Sequence, residues 1–191
     1  ARIVAVRAFD GQGRGTYANV IRGINWIVAN KAAYNIRVLN VSLAADSTET
    51  WQTDPPCAAV RSATAAGITV VVAAGNFDQS TSIQEVYGAV SAPGNDPSVI
   101  TVGAVNYHDT VARSDDTVNN FSSRGPTRSS YLDSSGVRVV DNLLKPDLVA
   151  PGNKVVSAAS TAANSATPTW NYLASQNYST LVTPLGITQI Y

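Results

Sequence analysis

Ile68-Thr69-Val70-Val71-Val72-Ala73-Ala74-Gly75-Asn76 is an apolar run, rich in β-branched residues, that stops on a glycine and an amide. Bounded by turn residues, such a run reads as a strand buried on both faces, as in a parallel sheet. Two further segments repeat the pattern, Val38 to Ala44 upstream and Ser98 to Val105 downstream. Between the first two, Pro55 and Pro56 stand where an opening helical turn tolerates proline, and Ala58, Ala59, Val60, Ala63 and Ala66 lead to Gly67. That spacing predicts a helix closed by a glycine cap. Ahead of it, apolar residues at Tyr17, Val20, Ile21, Ile24, Ile27 and Val28 predict another helix, capped by the Thr16 hydroxyl. Apolar strands joined by connections of helical length imply an α/β fold with a mainly parallel sheet and helices on both faces.

Outside this frame the texture changes. Asn106 to Gly136 is polar and predicts loops with at most short strands. After Pro151-Gly152 there is one short apolar pair, Val155-Val156, and then a Ser/Thr/Ala/Asn stretch that predicts loop and hairpin. The chain opens directly on Ile3-Val4-Ala5-Val6, which reads as the interior of a larger structure. No internal repeat and no linker marks a second domain.

The totals narrow the chemistry. In 191 residues, 13 basic and 13 acidic side chains cancel, and charged residues are only 14% of the chain. Nucleic acid and anionic membrane surfaces are therefore not expected partners. No apolar stretch approaches the roughly 18 residues of a membrane span, and no signal-peptide pattern occurs. The single cysteine, Cys57, has no internal disulfide partner and no Cys/His cluster around it, so it reads as a small buried apolar residue.

In an open parallel sheet, sites form beyond the carboxyl ends of strands. Two segments end suitably. Ala74-Gly75-Asn76 presents an amide at a strand end, and Ser42-Leu43-Ala44-Ala45 offers small side chains that leave room for another chain. A fixed amide donor there stabilises an oxyanion without reorganising during reaction. An ordinary turn asparagine is the alternative that spacing alone leaves open.

Several separated segments, taken together and in order, resemble the subtilase family of serine proteases. They are Val70 to Asn76, Ala92-Pro93-Gly94, Pro97 to Val105, Phe121-Ser122-Ser123-Arg124-Gly125-Pro126 and Lys145-Pro146-Asp147-Leu148-Val149-Ala150-Pro151-Gly152. Upstream, Gly13 to Tyr17, Gly23 to Trp26 and Asn40 to Leu43 fit the same pattern. The match covers residues 1–157; 158–191 stay loop-rich and unassigned, so the whole of 1–191 reads as part of one catalytic domain. The resemblance implies a three-layer fold and an endopeptidase that works through an acyl-enzyme with an Asp/His/Ser triad.

Carried over by position, the resemblance makes Asn76 the oxyanion-hole donor. Gly13, Arg14 and Gly15 would form one edge that pairs with an extended substrate, and Ser42, Leu43 and Ala44 the other. Ala74, Gly75 and the loop Ser91, Ala92, Pro93 and Gly94 would line the pocket for the side chain before the scissile bond. Where the family often has glycines, Ala44 and Ala45 stand here, which puts the width of that pocket in question.

None of the three triad motifs is in the sequence. Asp-x-Gly and His-Gly-Thr-His are expected ahead of residue 1, and Gly-Thr-Ser-x-Ala after Pro151-Gly152. His108, the single histidine, Asp133 and Ser179 each sit in the wrong order or context and read as loop residues. The chain alone is therefore expected to be inactive, and to self-associate or depend on flanking segments, because sheet edges and apolar surface would be uncovered. Protein or peptide is the expected substrate, the extracellular space the expected setting. No cofactor is named; structural calcium belongs at most to the full-length protein, since Asp115 and Asp116 read as solvated charges. Asn120-Phe121-Ser122 and Asn177-Tyr178-Ser179 fit a glycosylation pattern that by itself decides nothing. A different class of reading is a non-catalytic peptide-binding or structural module that kept the pairing edges; an upstream aspartate and histidine motif with a downstream serine motif would decide against it.

Overall fold

A computed structural model describes residues 2–10, 13–77, 85–153 and 155. Helix α1 spans Tyr17–Tyr34. The Thr16 hydroxyl accepts from Asn19 N at 3.3 Å, and Val20, Ile24 and Ile27 form its buried stripe. It ends where Asn35 turns left-handed, with φ at 51°. Helix α2, Pro55–Ala65, begins on prolines whose missing N–H groups would have lacked a helical partner anyway, and Asp54 accepts from Cys57 N at 2.9 Å. At its other end Gly67 adopts φ +76°, letting Gly67 N reach Thr64 O and Ile68 N reach Ala63 O. Lys31, in the last turn of α1, donates to Ala66 O and so ties the two helix ends together.

Strands β1 (Val38–Val41), β2 (Thr69–Ala73) and β3 (Ile100–Asn106) pair in parallel in that order. β3 also pairs in parallel with β7 (Leu148–Pro151) and, at its far end, antiparallel with β4 (Thr117–Val118). A separate hairpin is made by β5 (Ser130–Leu132) and β6 (Arg138–Val140). Its turn is closed by Asp133 Oδ1, which accepts from Ser135 N and Val137 N. The polar stretch after Val105 thus holds two short elements among loops, and the hairpin expected beyond Pro151 lies outside the described residues. Residues 2–10 join no strand ladder, although Val6 and Ala8 pack against the core.

Register explains where the core lies. Leu39 pairs with Val70 and Val41 with Val72, so these four share one face, and with Ile24, Ile27, Val60 and Ala63 they form the main cluster under both helices. Asn40, Val71, Ala73, Val102 and Ala104 alternate onto the opposite face. The sheet is α/β and mainly parallel, as expected; among the described residues both helices cover the same face. The other face is only partly covered, with Val38 60%, Ile100 38% and Leu148 48% exposed.

A buried lysine fixes β7 against β3. Lys145 is 8% exposed, and its Nζ donates to Val99 O at 2.8 Å and to Asp147 Oδ2 at 2.7 Å. Asp147 Oδ2 also accepts from Thr101 N at 2.7 Å. Partial burial pushes the Asp147 carboxyl up, but the bonds from Lys145 and Thr101 outweigh it and hold it below its usual range.

Two expectations follow for stability. Replacing Asp54 by alanine removes the α2 cap, and urea unfolding is expected to register a loss of about 1 kcal/mol. Because Asp147 is depressed in the folded state, its contribution is present above the ordinary value of 3.8 and disappears as pH falls through the lower folded value. The Tm advantage of the unsubstituted protein over Asp147→Asn should therefore shrink on acidification below about pH 3.8, and a pH-independent advantage would contradict this assignment.

Candidate active-site cleft

β2 delivers three residues to the carboxyl end of the sheet. Ala74 is buried; its oxygen accepts from Ser91 N at 3.0 Å and from Ser91 Oγ at 2.8 Å. Gly75 follows with φ +106°, and a Cβ there would lie 2.7 Å from Ser91 Oγ and 2.9 Å from Ser123 Oγ. Only glycine fits between those two hydroxyls in that conformation. Ser123 closes the turn: its N–H donates to Gly75 O at 3.0 Å, and its Oγ accepts from Phe77 N at 3.1 Å. The backbone on either side of Asn76 is thereby fixed, while Asn76 itself is exposed.

Asn76 stands on the wall of a cavity of about 910 Å³. The floor is the open sheet face, formed by Asn40, Val71, Ala73, Val102, Ala104 and Ala150. Ser42 and Gly75 complete the strand-end rim; Phe121 and Asn153 enclose it from the later loops. Asn40 Nδ2 donates to Ser42 Oγ at 2.7 Å, which orients the rim at the end of β1. The space thus joins the small apolar side chains of the sheet face to the polar groups of Asn40, Ser42, Asn76 and Asn153.

Of the residues singled out from sequence, Ser42, Ala74, Gly75 and Asn76 line this cavity. Leu43 turns toward the core cluster and Ala44 toward solvent. Ser91, Ala92, Pro93 and Gly94 are all buried and lie directly behind Ala74 and Gly75, supporting the wall from outside the cavity lining. This backing segment is joined to the chain that follows the Ser42 rim where Ala45 and Ala92 exchange both backbone bonds, at 3.0 and 2.9 Å. Gly13, Arg14 and Gly15 belong to an exposed turn, fastened by Asp10 N to Arg14 O at 2.8 Å and Arg14 N to Asp10 Oδ1 at 2.9 Å, and are not part of the lining.

Asn40, Phe121 and Asn153 were not foreseen as lining residues. Asn40 could have been found from alternation, since it shares a face with Val71 once register is known; nothing in local sequence marks Asn153. His108 sits in an exposed turn with φ 51°, its Nε2 3.0 Å from Thr117 Oγ1. Asp133 is the hairpin turn residue, and Ser179 lies outside the described residues. Asp115 accepts from the Thr110 hydroxyl and Asp116 pairs with Arg113. Among the described residues no three carboxylate, imidazole or thiol groups converge.

The chain was compared with known proteins on this footing. A model of the Subtilase family, peptidase S8, matches residues 1–184. Serine protease AprX of Bacillus subtilis (strain 168) is 36% identical over 169 residues, covering 84% of this chain and 33% of that protein. A cuticle-degrading serine protease of Arthrobotrys oligospora is 35% identical over 112 residues, covering 59% of this chain and 24% of the relative. The chain thus spans about a third or less of the length of these relatives. Among solved structures, the S41 psychrophilic protease superposes with a TM-score of 0.56 at 26% identity, covering 76% of this chain and 42% of that one. Family model, relatives and superposition agree with the mainly parallel α/β sheet: the chain belongs to the subtilase family.

Proposed function

We propose that this chain is the central part of a serine endopeptidase and supplies its oxyanion donor and cleft walls. One observation carries the reading: the Asn76 carboxamide stands exposed on the cavity wall, at the end of a strand whose following turn is fixed by Ser91 and Ser123. A donor held this way meets a negative oxygen at no cost in reorganisation, the condition for stabilising the tetrahedral intermediate of acyl transfer. The nucleophile, general base and orienting carboxylate would come from segments bearing the Asp-x-Gly, His-Gly-Thr-His and Gly-Thr-Ser motifs, none of which occurs in this sequence. An extended peptide substrate would lie along the Ser42 to Ala44 rim, pairing backbone to backbone. The turn at Gly13 to Gly15 is the proposed second edge. A protein substrate outside the cell suits the kinship with a cuticle-degrading protease.

In the protein assembled with those segments, Asn76→Ala should lower kcat by about 10²- to 10³-fold with little change in KM, the size measured for such an asparagine in a member of this family. Steady-state kinetics on a peptide substrate would read this, and an unchanged kcat would remove Asn76 from the reaction. This chain by itself should not be labelled by a fluorophosphonate probe; labelling of a serine within it would mean that the nucleophile is here. The open sheet face, with Val38, Ile100 and Leu148 exposed, should also make the isolated chain self-associate, which sedimentation at micromolar concentration would show. A clean monomer there would be the contrary result.

A further inference from the structure

The segment Val90 to Asp96 has no regular secondary structure, yet every residue in it is buried. Buried irregular backbone must find its hydrogen bonds elsewhere, and side chains here supply them. Thr101 Oγ1 donates to Gly94 O at 2.6 Å, and Asp96 is clamped by Arg61 Nη1 at 2.6 Å and Ser98 N at 2.9 Å. Asn95, fully buried, is the hub. Its Oδ1 accepts from Cys57 Sγ at 3.2 Å, and its Nδ2 donates to Ser47 Oγ at 2.8 Å and to Ser129 Oγ at 3.2 Å.

The thiol can serve only as a donor there. Burial, with the carboxylates of Asp54 and Asp96 nearby, pushes Cys57 far above the usual thiol range, so it keeps its proton.

The network continues to a carboxylate in a different part of the chain. Ser129 Oγ donates to Asp141 Oδ2 at 2.5 Å. Asp141 also accepts from Thr50 Oγ1 at 2.8 Å and from Trp51 N at 3.3 Å. Ser129 and Asp141 stand at the two feet of the β5–β6 hairpin, with Asp141 N bonded to Ser129 O at 2.8 Å. Ser47, Thr50 and Trp51 lie on the loop that leaves the Ser42 to Ala45 rim. One carboxylate therefore reaches both segments, the 42–45 side through Thr50 and Trp51 and the 91–94 side through Ser129 and Asn95.

We propose that Asp141 is a positioning residue for the cleft: through Ser129 and Asn95 it holds the 91–94 segment, which backs the lining residues Ala74 and Gly75, against Ala45 and so fixes the size of side chain that the cleft admits. The size-selection part rests on the endopeptidase reading above; the coupling of the segments does not. An alternative position of the segment would break these bonds and leave buried polar groups such as Asn95 unpaired, so it is disfavoured. The hairpin is then a specificity element although it contributes nothing to the cavity lining.

The test uses Asp141→Asn and Ser129→Ala in the protein that contains this chain with its flanking segments. Ser129→Ala cuts the link to Asn95 while leaving Asp141 its bonds to Thr50 and Trp51. Hydrogen exchange at the Ala45 and Ala92 amides, whose mutual bonds join the segments, should quicken about tenfold in each variant, while exchange at Val70 and Val72 changes little. Peptides differing in the size of the side chain before the scissile bond should diverge in KM by about tenfold between the largest and smallest, with kcat nearly constant. Exchange that is unchanged, or that rises equally throughout the sheet, would overturn the coupling. A uniform fall in kcat for all peptides with KM unchanged would reduce Asp141 to a purely structural role. If the unsubstituted protein cleaves no peptide, the endopeptidase reading and the size-selection claim both fall, while the two amides still decide whether Asp141 couples the segments.

Discussion

β2 lies in parallel between β1 and β3, and the register of that pairing decides which side chains see the helices and which see the cavity. Val70 and Val72 face α1 and α2; Val71 and Ala73 face the open side. A slip of one residue would send valines intended for the core into the cleft and withdraw the floor. It would also turn the strand end over and with it the direction in which Gly75 and Asn76 leave the sheet. The helix caps and the Lys145 anchor between β3 and β7 contribute to stability, but they act on a frame whose handing of residues to two faces is already set by these ladders.

The strand end then depends on a sequence of small choices. Gly75 accepts a backbone conformation that other residues resist, and its missing Cβ lets two serine hydroxyls converge from distant loops. Each serine has a task of its own: Ser91 returns to Ala74 O, and Ser123 receives Phe77 N. Between them they immobilise backbone, leaving the amide of Asn76 as the polar group that faces open space. Rigid backbone on both sides of an exposed amide is the feature on which the proposed role of Asn76 rests.

How much of this could be read beforehand follows from the range of the interactions involved. α1 and α2 were legible because capping and helical spacing are local: Thr16 caps α1 within three residues, Pro55 and Pro56 open α2, and Gly67 closes it within two; the Asp54 cap was equally local but went unread. The three main strands were legible as apolar runs; β1 and β2 stop short of their runs where pairing partners end, while β3 starts late and gains Asn106 by pairing with β4. Covering of both faces was expected from those runs; alternation in the described structure puts both helices under Leu39, Val41, Val70 and Val72. Of the cavity lining, Asn76, Gly75 and Ser42 were legible as strand-end residues, and only the family resemblance favoured a role for Asn76 over an ordinary turn residue. Asn153, Phe121 and the Asn95 hub were not, since each acquires its place through partners far away in sequence, as with Asn95 and Ser129 or Thr50 and Asp141.

The sealed stretch from Val90 to Asp96 has an evolutionary corollary. A position whose neighbours all contribute hydrogen bonds cannot drift alone, because each substitution strands a partner in a dry interior. Ala44, exposed on the opposite rim, carries no such obligation. Change is accordingly freer at that rim than in the interior segment or at Ser129 and Asp141, where a single substitution leaves a polar partner without its bond.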